Sequence, residues 1–451
     1  MAADTPASSI VPRLKTFDLT MIVAGLVIGM GIFRVPAEVA QKAGIPLIFF
    51  AAWITGAAVS LIGALTFAEI GSRYPVAGGF YKIFSHCYHP CFAFMVNWII
   101  VVSNAGATAG VAIMGADYIA PILLPTLPHE TAVKFITISS LGILYVVNMI
   151  GIRVSARLLN SLMVIKIGML LLLISAVFIL PAAPIPAGGY PAPTWGEGMK
   201  AFTLCFIPLF FSYGGYQQTI NFGKDIPNAK KTLPRAVWFG ISLILFLYLS
   251  VNYSYYKVLG FDHLQHTTTI ASDMVGLLFG PTAYRVVSVV MLLSVMAYVN
   301  VSVLSNPRIY FAMAEDGVLP PIFKRLNPKT QVQEFALTVF CLFIFVTLFF
   351  ISSFQKILDH VMFFDSISLI AAGASIFVLR SRAKKTGDEA GIFKIKGYPY
   401  LPAFFILIYA TVIGGVFYTN ISAAISGFVL FFLGYPLYYF IKFALKKRTA
   451  S

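Results

Sequence analysis

Two glycine clusters interrupt otherwise apolar stretches, Gly29-Met30-Gly31 early in the chain and Gly214-Gly215 midway along it. Glycine has no Cβ, so each cluster lets a ligand or another backbone come close. A helix broken there exposes N–H groups on one side, suited to an anion, and carbonyls on the other, suited to a cation. The plainer reading is that the glycines only let neighbouring helices pack tightly. Two charges stand inside apolar runs, Lys166 between Ile165 and Ile167, and Asp365 about two helical turns after Asp359. A charge at such a position is costly unless it faces a cavity or a partner. His86-Cys87-Tyr88-His89-Pro90-Cys91 carries metal-ligand residue types, but Pro90 breaks the run and no second half of a site exists, so no metal is expected. His129, His263, His266 and His360 fall in connections or at the ends of apolar runs, and none pairs with a Ser or Cys nucleophile. Neither an enzyme nor a cofactor is expected.

These residues have to be positioned by the elements around them. Of 451 residues, 59% are hydrophobic and 11% charged, against ~25% charged in a soluble domain. Forty-one Phe and 35 Gly suit helices packed in lipid. Twelve apolar stretches can be marked, at 17–41, 45–71, 90–118, 133–151, 154–180, 198–222, 235–259, 281–312, 334–352, 357–380, 399–419 and 422–445. Pro and Gly clusters punctuate them. The fold class expected is an all-α polytopic membrane protein. Residues 1–16 are polar, with Pro6, Pro12, Arg13 and Lys15, and do not read as a cleavable signal.

The net charge of +15 is not a nucleic-acid footprint, because the bases cluster at the ends of apolar runs and do not form a stripe. With the amino terminus placed inside, 24 of the 32 Lys and Arg fall on the inner side, seven on the outer side, and Lys166 within a span. Both termini are then cytoplasmic. The four cysteines form no disulfide framework. The two glycine breaks lie five spans apart, as in a transporter of two inverted five-span halves with its site at the breaks.

Several motifs share an order with a known family. They are Gly29-Met30-Gly31-Ile32-Phe33, the run AEIGSRYPVAGGFY from Ala68 to Tyr81, GIRVSARLLNSLMVIK from Gly151 to Lys166, and FFSYGGYQQ from Phe210 to Gln218. Asp225-Ile226-Pro227-Asn228 with Pro234-Arg235, RIYFAMAEDGVLP from Arg308 to Pro320, and Gly397-Tyr398-Pro399 complete the set. Over nearly its whole length the chain resembles the amino acid–polyamine–organocation superfamily of permeases, in its L-type amino acid transporter-like branch. The resemblance implies a LeuT-like five-plus-five inverted repeat with two additional helices, and amino acid transport by alternating access. The boundaries would be a cytoplasmic segment 1–16, a first repeat 17–180, an outer loop 181–197, a second repeat 198–380, a cytoplasmic loop 381–398, two further helices 399–445 and a cytoplasmic end 446–451.

A free amino acid brings a carboxylate and an ammonium into a low-dielectric site, and both need partners. A half-helix beginning at Met30-Gly31-Ile32 would offer N–H groups to the carboxylate, and carbonyls near Ile28, Phe211 and Ser212 would face the ammonium. Gly29 and Gly214 would keep the backbone accessible. By resemblance, Phe211 is an aromatic lid, and Tyr216, a second gate residue, lines the side-chain pocket with Gln217. Relatives carry a small residue where this chain has Met30 and a Trp where it has Tyr216; Met30 either reshapes the pocket or fills space between helices. The lysine matching Lys166 bridges spans one and eight in relatives, at the place where sodium-coupled members hold an ion. Lys166 is then either a fixed strut or, since burial disfavours a charged lysine, a proton carrier. Asp365, in a span that borders the pocket in this fold, is the second coupling candidate. It either holds a cationic side chain or a proton, or pairs with an outer base such as Arg34, a helix-end pairing or a solvated vestibule being the preferred reading. Glu69 and Asp117 read as structural.

The expected function is sodium-independent exchange or facilitated transport of small to medium neutral L-amino acids across a bacterial inner membrane. The neutral class follows from the lack of a clearly central carboxylate. Mammalian relatives pair by disulfide with a single-span glycoprotein through the loop after span three; here that loop, Ile119 to Ala132, has no Cys, so no such heavy chain is expected. The partners expected are the amino acid substrate and membrane lipid. The alternatives are a proton-coupled symporter of cationic or broad substrates and, from another class, an amino acid sensor that moves nothing.

Overall fold

A computed structural model describes residues 14–29, 31–76, 78–186, 188–267, 269–280, 283–350, 354–387 and 391–449. Met30 therefore lies outside the described residues, as does most of the segment 1–16. The helices are α1 (Thr16–Val27), α2 (Val35–Ala43), α3 (Pro46–Arg73), α4 (Gly79–Cys87), α5 (Pro90–Leu123), α6 (His129–Ile150), α7 (Ile152–Ile179), α8 (Trp195–Tyr213) and α9 (Ala229–Leu259). They continue with α10 (Phe261–His266), α11 (Ile270–Phe279), α12 (Ala283–Ser305), α13 (Pro307–Glu315), α14 (Glu334–Phe350), α15 (Phe354–Thr386), α16 (Tyr400–Thr419) and α17 (Ile421–Thr449). Among the described residues no strand is present, and nine helices are long and apolar enough to cross a membrane. This is a polytopic, all-helical membrane protein.

Local chemistry sets many of the boundaries. Pro46 and Pro90 open α3 and α5 at positions where a missing N–H costs nothing. Thr194 and Glu197 form a reciprocal capping box at the start of α8. Gly44, at φ 71°, ends α2 in a conformation that side chains with a Cβ avoid. The sequence pattern did not separate three short helices: α4 between the second and third apolar stretches, and α10 and α11 in the connection after α9.

Helix α5 lies at the centre, packed against α12, α15, α6, α17 and α14, whereas α16 and α17 are the most exposed. Outward-facing apolar side chains such as Phe178, Phe246, Phe432 and Phe443 are tolerable because lipid is their solvent. Glu69 on α3 is fully buried and fastens α3 to α15 and to the segment before α16. It accepts from Arg73 Nε at 2.7 Å, from Arg380 Nε at 2.8 Å and Nη2 at 2.7 Å, and from the Ile395 N–H at 2.7 Å.

Candidate functional site

The first glycine cluster is a true helix break. Helix α1 ends at Val27, a turn over Gly31–Phe33 follows, and α2 begins only at Val35, three residues beyond the expected Ile32. The delay has a local cause: Pro36 lacks an N–H and is tolerated only in the first turn of a helix. The second cluster ends α8 at Tyr213, after which the chain continues as tight turns over Tyr216–Asn221 and Gly223–Asp225 instead of a second α-helix. Gln217 caps this break by accepting the Gly215 N–H at 2.8 Å.

The breaks touch each other. A Cβ on Gly215, itself at φ 113°, would lie 2.1 Å from the Leu26 carbonyl oxygen, and one on Gly31 would lie 2.9 Å from Ser212 Oγ and 3.0 Å from its Cα. Close packing and an accessible backbone are thus both served by these glycines.

A cavity of 40 Å³ lies where they cross. It is lined by Val27, Gly29, Gly31 and the end of α8 at Phe210–Ser212, together with Asn104, Ala107 and Val111 of α5, Tyr298 of α12 and Asp365 of α15. Gly214, Gly215, Gln217 and Gln218 complete the lining at the second break. Ser212 Oγ and Gln218 Oε1 are buried with no hydrogen-bond partner among the described residues. Both belong to residues that line the cavity, where a ligand or water can meet them.

Of the residues singled out in the sequence, Gly29, Gly31, Phe211, Ser212, Gly214, Gln217 and Asp365 meet at this cavity; Ile28, Ile32 and Tyr216 do not line it. Tyr216 departs from the expectation of a gate. Its ring packs edge-on against Phe67, and its hydroxyl occupies the space that a Cβ on Gly63 would need. The Gly215 turn swings it away from the cavity, towards α3.

The Ile28 carbonyl, expected to face an ammonium, instead accepts from Lys166 Nζ. Lys166 is fully buried on α7 and has no carboxylate partner among the described residues. The Val27 carbonyl accepts from Gly29 N–H at 2.7 Å and from Tyr248 Oη at 3.1 Å, and Tyr248 also lies 3.3 Å from the Ser212 carbonyl. Tyr248, Tyr298, Asn104 and Gln218 were missed in the sequence. The two amides could have been found as polar groups in apolar runs, whereas a tyrosine in a span carries no such signal.

Asp365 corrects another expectation. It sits on the cavity wall, accepting from Ser103 Oγ at 3.3 Å, and is not paired with an outer base; Arg34 approaches Glu38 at 3.7 Å. A carboxylate therefore does reach the centre of the bundle.

A chain of hydrogen bonds closes the bundle on one side of the cavity. Gln218 donates to Asn104 Oδ1 at 3.3 Å, Asn104 to Asn306 Oδ1 at 2.6 Å, and Asn306 to the Ser302 carbonyl at 2.8 Å. Below these, Arg308 grips Asp225 through Nε at 2.7 Å and Nη2 at 3.2 Å, its guanidinium lying over the Phe222 ring. Lys82 of α4 pairs with Asp316 and Glu315, and Lys224 with Glu315 at 3.0 Å, so the Ala314–Gly317 segment docks α13 onto its neighbours. Among the described residues no cluster of His, Cys, Asp or Glu could hold a metal. At the 86–91 run, burial pushes the Cys87 thiol up to about 11 and lowers the His86 pKa.

The profile of the amino acid permease family matches residues 14–441. The chain is 26% identical over 444 residues to the serine/threonine exchanger SteT of Bacillus subtilis (strain 168), covering 96% of this chain and 97% of that one. It is 26% identical over 435 residues to the human large neutral amino acids transporter small subunit 2, covering 93% and 78%. It is 25% identical over 431 residues to the human cystine/glutamate transporter, covering 93% and 83%. With two crossing helix breaks around a polar cavity and a family match over nearly its full length, the chain belongs to the amino acid permeases, a family of membrane transporters.

Proposed function

We propose that the protein is a sodium-independent exchanger or facilitator of small to medium neutral L-amino acids, which bind at the crossing of the two helix breaks. The observation that carries this reading is the pair of unpartnered buried atoms, Ser212 Oγ and Gln218 Oε1, in a cavity whose walls include the backbone at Gly29 and Gly31. The substrate carboxylate would meet the N–H group at Gly31 and the Ser212 hydroxyl. Its ammonium would take the second lone pair of the Ser212 carbonyl, which Tyr248 holds in place. Phe211 would close the path from outside. Relatives that exchange serine and threonine or carry large neutral amino acids agree with the neutral class.

Sodium independence rests on Lys166, whose ammonium ties α7 to the broken end of α1 and would leave no room for a second cation. In this reading the twelve apolar stretches are twelve spans, 17–180 and 198–380 are inverted repeats, 399–445 adds two helices, and both termini face the cytoplasm of a bacterial cell. No disulfide-linked heavy chain is proposed, and the buried state of Cys87, Cys91, Cys205 and Cys341 supports that.

The test is uptake of labelled alanine into proteoliposomes, empty or preloaded with unlabelled amino acids, with sodium replaced by choline. Uptake confined to preloaded vesicles is the expected result; a sodium requirement contradicts it. The second reading, proton symport, is favoured by the carboxylate of Asp365 on the cavity wall. Accumulation in empty vesicles under an acid exterior would select it. Binding with no movement in any vesicle would leave a sensor.

A further inference from the structure

Asp365 is a charged group on the cavity wall whose chemistry is used neither by the helix breaks nor by the hydrogen-bonded chain from Gln218 to Ser302. It is partly exposed on α15 and lines the cavity. Ser103 Oγ donates to its Oδ1, and among the described residues Asp365 has no cationic partner. The nearest rival for that role, Lys166, is committed to the Ile28 carbonyl. Ser103 supplies a hydrogen bond to this carboxylate, and the cavity also has apolar walls made by Ala107, Val111 and Phe211. A bound molecule that donates to the carboxylate beside such walls gains a charge-assisted hydrogen bond.

Position decides which part of a substrate meets Asp365. Helix α1 packs mainly on α9, α7 and α12, while α15 packs mainly on α16, α5 and α3. The broken backbone can serve the groups common to all amino acids, and in the proposed pose the side chain reaches Asp365. Size narrows the class: about 10–15 Å³ holds one water, so a 40 Å³ cavity holds about three. Because the same cavity must also take the carboxylate and ammonium, it favours small amino acids over the four-carbon stem of lysine.

We infer that Asp365, oriented by Ser103, is a specificity-determining residue that selects amino acids with a short, uncharged, hydrogen-bond-donating side chain, a hydroxyl first of all. This rests on the cavity being the substrate site. A site built to accept from a hydroxyl discriminates strongly against an isostere that lacks it, because its own acceptor is then left unpaired.

The test compares threonine with valine, which have nearly the same shape. In proteoliposomes exchanging labelled serine, unlabelled threonine should compete with the wild-type protein at least about tenfold better than valine. That ratio should fall towards one in Asp365→Ala. In the isosteric Asp365→Asn, which keeps the bulk of the side chain should the alanine variant fold poorly, it should fall part of the way. Equal competition by threonine and valine in the wild type overturns the assignment, as does a ratio that survives both substitutions, or lysine competing better than threonine. Absence of exchange with any amino acid would defeat the transport reading and this inference together, whereas exchange with an unchanged ratio defeats only the role of Asp365.

Discussion

Tyr248 on α9 sits between the two helix breaks, with its Oη 3.1 Å from the Val27 carbonyl and 3.3 Å from the Ser212 carbonyl. One fully buried hydroxyl thereby spans the end of α1 and the end of α8. The breaks meet again where Gly215 lies on the Leu26 carbonyl and Gly31 on Ser212. Two discontinuous helices held at three points form a unit that can tilt together, as alternating access requires.

Tyr248→Phe removes the bridge and leaves the ring packed against Trp53 and Tyr213. The lost bond is worth about 1 kcal/mol, so substrate affinity should weaken about fivefold with little change in thermal stability. Calorimetric titration of the purified variant checks this. Unchanged affinity would remove Tyr248 from the site.

Lys166→Met keeps the length of the side chain and removes the donor to the Ile28 carbonyl. Exchange should fall roughly tenfold or more while equilibrium binding changes far less, the pattern of a group needed for the movement and not for the bound state. Counterflow and binding measured on the same preparation separate the two. An unchanged exchange rate makes Lys166 a bystander.

Gly215→Ala should prevent stable folding, since its Cβ would overlap the Leu26 carbonyl at 2.1 Å and the residue holds φ at 113°. Gly168→Ala is the control. Gly168 is exposed on α7 with nothing within 4 Å of an added Cβ, and this change should be neutral or stabilising by up to about 1 kcal/mol. Melting curves in detergent decide; equal behaviour of the two variants would contradict the packed crossing.

Asp225→Asn breaks the buried pair with Arg308 beneath the cavity. An unpaired buried guanidinium costs about 3–5 kcal/mol, so the melting temperature should drop by several degrees. A melting temperature equal to wild type would show that the pair does not hold this part of the bundle together.

Cys87 gives a pH-dependent readout. It lies on the short helix α4, and its pKa is raised to about 11 by burial. At pH 7.5 roughly one molecule in a few thousand carries the thiolate, the reactive form. Maleimide labelling of the native protein should therefore be slow and should rise about tenfold per pH unit towards that value. Rapid labelling at neutral pH would contradict the buried placement.

Glycines and charges inside apolar runs were the most legible features of the sequence. Gly29, Gly31, Gly214 and Gly215 mark real breaks, because nothing but glycine allows the approach of Leu26 to Gly215. Membrane membership followed from composition, and the family followed from ordered motifs. Tyr216 was misplaced because its direction depends on the turn at Gly215, a dihedral that no residue pattern reports. Asp365 was read towards an outer base because sequence distance from a span end does not say which face of α15 looks inward. Tyr248 gave no signal at all, since its role depends on the crossing of two segments far apart in sequence from α9. Short helices such as α4 and α10 escaped because they have too few turns to show a period.

The central claim is that an amino acid occupies the crossing of the two breaks. Ala107 of α5 lines that cavity, and the four native cysteines are buried, so an Ala107→Cys variant introduces one thiol at the place in question. Its reaction with a small methanethiosulfonate reagent in transport-competent vesicles should slow several-fold when serine or threonine is added, with protection following the same concentration dependence as exchange. Labelling that is indifferent to a saturating transported substrate would place the amino acid elsewhere and contradict the account.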